Sequence, residues 1–235
     1  IEIDSSRFWF QKRPERFSHG IYIGQARRFT LIGSHIKGTD KGHQVKSRAL
    51  ENYLHYNRIE DVPGGNSSRL IDLPNCGFSV VMGNDLLQPS TTQNNNVIGY
   101  GAEGCSSRNP KQKSLYVIYN TLVNEASQGA LVNSRAEAHV VVANNLIFGK
   151  GVFLKGAGIA INNVREEISA RTSDSWEAPK GSAAIDSTVN QDPVEGVSLT
   201  PIREFNPPVG TGMRPLQGDL DASSREYHLI NPQQR

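Results

Sequence analysis

Five stretches of the chain share one short pattern: a β-branched or aromatic run, a small or amide side chain, any residue, then an aliphatic one. They read FTLIGSHI (29–36), NYLHYNRI (52–59), FSVVMGNDL (78–86), SLYVIYNTL (114–122) and AHVVVANNL (138–146). Aligned on Ser34, Asn57, Asn84, Asn120 and Asn144, they recur after 23, 27, 36 and 24 residues, a near-constant period with one long insertion. Fixed periods of this size mark solenoids. A second short extended segment precedes each run: GIYIG (20–24), GHQVKSR (42–48), RLIDLPN (69–75), NVIGYG (96–101) and GALVNSR (129–135). A unit of two strands, a tight turn and a longer loop buries little alone, so successive units must stack to close a core. The expected fold is all-β, a right-handed parallel β-helix. The aligned Asn side chains then have a mechanical role, each satisfying backbone groups at a bend and bonding to the amide one coil away.

At 235 residues the chain suits one elongated β domain. Its 22 Gly and 12 Pro are dispersed and no heptads accumulate, which argues against a helical bundle. The expected organisation is an N-terminal strand or cap over 1–18, coils over 19–164, and a terminal coil with an extended, Pro-rich tail over 165–235. The aromatic trio Phe8, Trp9 and Phe10 is read as the first coil or as a plug over the solenoid end, which would otherwise be an open sheet edge. The polar loops at 60–68, 88–96 and 103–113 are expected to wall a groove, and GSAAIDS (181–187) resembles a strand found near the end of many bacterial β-helix domains, which implies a late strand there.

A net charge of +2 and a pI of about 8.6 are too mild to point to nucleic acid, yet leave the surface receptive to anions. The sequence has no apolar run long enough for a membrane span and no leader at its start. Cys76 and Cys105 lie 29 residues apart, about one coil, which allows either a disulfide or two buried thiols. HExxH, paired CxxC and GxSxG elements are absent, which disfavours zinc and serine-hydrolase chemistry.

Candidate chemistry gathers on GHQVKSR. If side chains alternate and Val45 points inward, His43 and Ser47 follow it, while Gln44, Lys46 and Arg48 face solvent. The same rule turns Tyr22 outward one coil below and Asp72 outward one coil above. Further along it turns out Asn133 and Arg135, with Tyr100 between if Val97 and Gly99 face in. Arg69 is expected at the bend before its strand, where its guanidinium reaches the groove. A column of this kind suits β-elimination on a uronic acid, which needs a cation on the C6 carboxylate, a base for the C5 proton and an acid for the leaving oxygen. Lys46 is the candidate base. Arg48 is the candidate carboxylate clamp, its planar fork matching the two oxygens. Asp72 works against that base by attracting the ammonium. It offers one carboxylate to a calcium ion, too few for an all-protein site, so no cofactor is expected beyond a possible Ca²⁺. An inverting glycosidase would need a second carboxylate about 6.5–9.5 Å away. The nearest is Glu103, in a loop. The same charges equally fit a solvated ladder of ion pairs worth under about 1 kcal/mol each.

The succession HGIYIG, FTLIGSHIKG, GHQVKSRALENYLHYNRI and SSRLIDLPNCGFSVVMGN resembles bacterial parallel β-helix proteins of the pectin-lyase-like superfamily, over residues 19–164. A more distant likeness is to the alginate lyase and chondroitinase B-like group, in which a KS strand supplies a Lys base and the next coil an Arg. VKSRA matches the first element as Lys46. The second is not matched: LIDLPN has Asp72 or Leu73 there, leaving Arg48 or Arg69 to take the place of that Arg. The resemblance implies a secreted or periplasmic protein acting on an acidic polysaccharide, by elimination or C5 epimerisation, or else a glycan-binding or adhesive solenoid.

Overall fold

The computed structural model describes residues 1–10, 18–105, 113–172, 175–215 and 218–227. The chain winds into a parallel β-helix of three sheets, so each coil carries three strands rather than two. The extra strand arises because each run such as FTLIGSHI is broken by a corner. Arg28–Ile32 belongs to one sheet and His35–Lys37 to the next. The first sheet stacks Ile21–Ile23, Val45–Ser47, Ile71–Leu73, Asn96–Tyr100, Ala130–Ser134 and Val152–Lys155. The second runs from Glu2–Asp4 through Arg28–Ile32, Glu51–His55, Phe78–Met82, Ser114–Ile118 and His139–Ala143 to Ile159–Ile161. The third runs from Arg7–Trp9 through His35–Lys37, Arg58–Glu60, Asp85–Gln88, Thr121–Asn124 and Leu146–Gly149 to Val164–Glu166. Every neighbouring pair in these sheets is parallel.

Period-2 alternation sends one aliphatic row per sheet into the lumen. Ile21, Val45, Ile71, Ile98 and Val132 line it from the first sheet, Leu31, Leu54, Val81 and Val117 from the second, and Ile36, Ile59, Leu86 and Leu122 from the third. The corner between the second and third sheets repeats one device. A residue with positive φ is followed by one whose side chain accepts a backbone N–H from the coil below. The first positions are Gly33, Tyr56, Gly83, Tyr119, Asn144 and Asn162, all with φ between 49° and 68°. The second are Ser34, Asn57, Asn84, Asn120, Asn145 and Asn163. The backbone N–H groups of Ser34, Asn57, Asn84 and Asn120 donate to the next amide oxygen at 2.9, 2.9, 3.0 and 2.9 Å. The amide Nδ2 of Asn57, Asn84 and Asn120 donates to the same oxygens, and also to the buried carbonyls of Leu31, Leu54 and Val81. The ladder therefore continues through Asn145, not Asn144. Asn144 is the left-handed corner residue, a conformation its short polar side chain tolerates.

The segment 1–10 is a true first coil: Phe8 and Phe10 are half-buried on the core end, while Trp9 is 63% exposed. The last coil reaches Glu166, two residues past the expected limit. A short 3₁₀ helix, Ile168–Ala170, follows. GSAAIDS forms turns rather than a strand, although Ala184 is buried against the third sheet's outer face. The described part of the tail packs on the solenoid and forms its own antiparallel pair, Arg203–Phe205 with Thr211–Met213. Leu199 packs with Phe78, Val80, Tyr116 and Ile118 on the outside of the second sheet. Asp85 joins Arg58 to Arg225 and Ser224. The loops at 60–68 and 88–96 both enter the first sheet, whereas residues 103–105 of the third loop follow the strand that leaves it. The third loop's stretch 106–112 lies outside the described residues, as do 11–17, 173–174, 216–217 and 228–235.

Candidate functional site

Strand register fixes an outward column on the first sheet: Tyr22, Lys46, Asp72, Gly99, Asn133 and Lys155 stand on successive strands. Their flanking strand neighbours point into the lumen, most of them aliphatic, so the polar side chains have only the outer face to occupy. Lys46 Nζ lies 3.4 Å from Asp72 Oδ2 and 2.9 Å from Glu103 Oε1. Asp72 is buried and also meets Arg69 Nη1 at 2.9 Å and His43 Nε2 at 3.4 Å. Arg48 places Nη1 2.6 Å from Glu103 Oε2, donates from Nε to Tyr22 Oη at 3.0 Å, and bonds Asn75 Oδ1. Of the residues expected here, Tyr22, Lys46, Arg48, Arg69 and Asp72 are brought together.

Three others are not. Tyr100 points inward and is fully buried, its hydroxyl donating to the Gly77 carbonyl at 2.7 Å. The inward row is offset by one residue from the expected alternation: Ile98, not Gly99, takes the inward place beside Ile71, so Gly99 faces out and Tyr100 in. Asn133 holds its place in the column, two strands beyond Asp72, and is buried. Arg135 lies past the end of its strand and is exposed; its backbone N–H bonds the Tyr100 carbonyl, and its side chain does not join the cluster. The alternation also fails at the start of GHQVKSR, because the strand is only Val45–Ser47. Gln44 is buried, its Oε1 accepting from Thr39 Oγ1 at 2.8 Å, while His43 turns to Asp72 rather than into the core.

Gly99 has a specific role in this packing. A Cβ there would stand 2.8 Å from Asp72 Oδ1 and 2.9 Å from Arg69 Cδ and Nε, so the missing side chain makes room for Arg69 to cross the sheet to Asp72.

Sequence reasoning missed the histidine pair. His19 stacks on His43 with centroids 5.0 Å apart and on Tyr22 at 5.7 Å, and its Nδ1 accepts the His43 backbone N–H at 3.0 Å. The two are 24 residues apart, one coil, and that spacing was the available signal. Burial pushes the His43 imidazole down to about 4. Burial and then the Lys46 charge lower His19 as well, so both rings are neutral near pH 7. The hydrogen bonds from Arg48 and then Lys46 hold the Glu103 carboxyl down at about 2. Three cations against two carboxylates leave the cluster one net positive charge.

Glu103 is held by two ties close to it in the chain. Its N–H donates to the Pro74 carbonyl at 3.0 Å, and Cys105 is disulfide-bonded to Cys76 with the Cα atoms 5.0 Å apart. Beside it opens a cleft of about 520 Å³ lined by Tyr22, Gln25, Arg48, Asn75, Glu103 and Cys105. Asp72 and Glu103 are each already neutralised by cations, so they do not fit a calcium site, and among the described residues no three His, Cys, Asp or Glu side chains gather as metal ligands. No helix of the described residues is long and apolar enough to cross a membrane. Comparison with family models, curated proteins and solved structures finds no match to this chain, and the fold and its charged cleft rest on their own geometry.

Proposed function

We propose that this β-helix is a carbohydrate-active protein that takes an acidic, uronate-containing polysaccharide along the outer face of its first sheet and cleaves it by β-elimination. One observation carries the reading: a carboxylate, that of Glu103, sits between Lys46 Nζ at 2.9 Å and Arg48 Nη1 at 2.6 Å at the edge of an open cleft. A uronate that displaced Glu103 would take over its contact with Arg48 and release Lys46 Nζ from that ion pair. Its C6 carboxylate would be neutralised by the Arg48 fork, which acidifies the C5 proton. Tyr22, 54% exposed at the cleft edge, offers a face on which a sugar can stack. With Glu103 moved aside, Lys46 in its neutral form takes the C5 proton as the base, the C4–O bond breaks as the C4=C5 double bond forms, and the leaving oxygen takes its proton from the resulting Lys46 ammonium or from water. A C5 epimerase would begin with the same proton abstraction.

A second reading has its own observation. Asp72 stays 3.4 Å from Lys46 whatever Glu103 does, an arrangement that suits holding an anion better than accepting a proton, so the site equally fits a glycan-binding module without turnover. Export to an oxidising compartment, secreted or periplasmic, is supported by the Cys76–Cys105 bridge.

Incubation with alginate, pectate and glycosaminoglycans, read by the ultraviolet absorbance of unsaturated uronate ends, tests the reaction. Product that disappears in Lys46→Ala with the fold retained supports elimination. Silence on every polymer, together with a ligand-dependent rise in the unfolding midpoint, leaves binding as the function.

A further inference from the structure

At the edge of the cleft, three consecutive residues of one coil are tied to three consecutive residues of the next. The Pro74 carbonyl accepts the Glu103 N–H at 3.0 Å, Asn75 Nδ2 donates to the Gly104 carbonyl at 3.3 Å, and Cys76 is bridged to Cys105. The turn that carries Asn75 is therefore fastened on both sides of it. With Nδ2 committed to a carbonyl, which only accepts, the other arm of the amide is its oxygen, and Oδ1 accepts from Arg48 Nη1. One coil below Arg48, the Tyr22 hydroxyl accepts from Nε at 3.0 Å. The guanidinium thus rests between neutral acceptors from the coil below and the coil above, and Glu103 is its one charged partner among the described residues.

Neutral acceptors do what a carboxylate in their place could not: they fix the plane of the guanidinium without cancelling its charge. An untethered arginine spreads over many rotamers, and gathering them into one costs affinity when a ligand has to do it. Here two of the five N–H groups, on Nε and Nη1, are already committed. The Nη1 hydrogen that Glu103 releases and the pair on Nη2 are left for an incoming carboxylate. Resting on the proposed function above, in which Arg48 takes the uronate carboxylate, we infer that Asn75 is a positioning residue, which keeps the Arg48 fork set while Glu103 and the ligand exchange. It acts through Arg48.

The Arg48 Nε–H resonance, followed by heteronuclear relaxation, reads the order of the guanidinium without any need for turnover. In Glu103→Ala it should stay as ordered as the backbone around it, because Asn75 and Tyr22 remain. Adding Asn75→Ala should give it the mobility of a free arginine side chain and weaken binding of D-galacturonate, the probe, by about two- to tenfold, with D-galactose as the uncharged control. The bridge and the Pro74 carbonyl hold the turn without the amide, so the variant should fold as the parent does. Asn75→Asp in the same background keeps an acceptor in place and adds a charge. Order should then return while galacturonate binding stays weak, a split that a loss of folding would not produce. An Arg48 that is mobile once Glu103 is gone, or as ordered with Ala at position 75 as with Asn, overturns the inference. Galacturonate that fails to bind an ordered Arg48 refutes the uronate reading of the site and leaves the hold of Asn75 on Arg48 standing. Failure to release unsaturated ends refutes the proposed reaction alone.

Discussion

Glu103→Ala separates a self-occupied anion site from one that uses Glu103 itself. Glu103 makes two ion pairs, with Lys46 at 2.9 Å and Arg48 at 2.6 Å, and its side chain is 43% exposed. Exposed pairs are worth about 0.2–1 kcal/mol each, so displacing this carboxylate costs an incoming uronate roughly 0.4–2 kcal/mol. At about 1.4 kcal/mol per tenfold, removing it should tighten binding of a short oligo-uronide by roughly two- to thirtyfold. The net charge of the cluster rises by one, so the gain should shrink as salt is added. Calorimetry at low and high ionic strength, with a neutral oligosaccharide as control, reads both effects. Weaker binding of the acidic sugar by a folded Glu103→Ala protein would refute the reasoning, because the carboxylate would then be a ligand contact rather than a stand-in for one.

Other consequences reach the scaffold. Asn84→Ala removes an acceptor for the Asn57 backbone N–H and a donor to the buried Leu54 carbonyl, and it cuts the amide ladder in mid-solenoid. With about 1–3 kcal/mol for each buried group left unsatisfied, the loss should be about 3–5 kcal/mol in urea unfolding, and a loss below about 1 kcal/mol would contradict the ladder's role. Burial lowers His43 and His55 from 6.5 to about 4. Above pH 6.5 both are neutral folded or unfolded. Between 6.5 and 4 the unfolded chain takes up the protons first, so stability falls with acid over that window, by at most about 3 kcal/mol for each ring. His55→Phe should flatten the slope of unfolding free energy between pH 7 and 4, and an unchanged slope would deny its burial. Reduction of Cys76–Cys105 opens a covalent loop spanning 29 residues, for which loop entropy predicts about 3–4 kcal/mol; a midpoint unmoved by reductant would show that the bridge does not constrain the unfolded chain.

The spiral was legible in the sequence because its signals are local and repeated. An inward aliphatic row and an Asn at each bend recur once per coil, and each recurrence confirms the last. What the period could not supply was the number of strands per coil, since a corner such as Gly33–Ser34 interrupts a run without interrupting its hydrophobicity. The Asn144–Asn145 pair shows the same limit. Alignment on Asn-x-aliphatic chooses Asn144, whereas the fold needs a left-handed residue first and a ladder amide second, and both are Asn. At the site, alternation placed Lys46, Tyr22 and Asp72 on the outer face because their strand neighbours point inward, although ion pairs bury Lys46 and Asp72 there instead of leaving them to solvent. It failed for His43, Gln44 and Tyr100, where the strand is too short or the choice of inward residue is off by one. Glu103 was beyond its reach, because a loop carboxylate is placed by a disulfide and a backbone hydrogen bond rather than by a period.

Stacking also constrains which charges the outer face can hold. Neighbouring strands bring side chains in one column to about 4.8 Å, close enough that like charges directly opposed destabilise the sheet. Lys46 therefore has Asp72 above it and not another cation, and Arg69 reaches the column only across a glycine. A solenoid that offers cations to an acidic ligand must carry its own carboxylates between them, and each can be fixed or removable. Asp72, on a strand and 2% exposed, is fixed: it keeps Lys46 and Arg69 apart and in place. Glu103, on a loop and 43% exposed, balances the same lysine from the solvent side, where a carboxylate from outside can compete with it. The division between a strand carboxylate that orders the cations and a loop carboxylate that can yield them is what makes this stretch of the ladder different from a surface of mutually satisfied ion pairs.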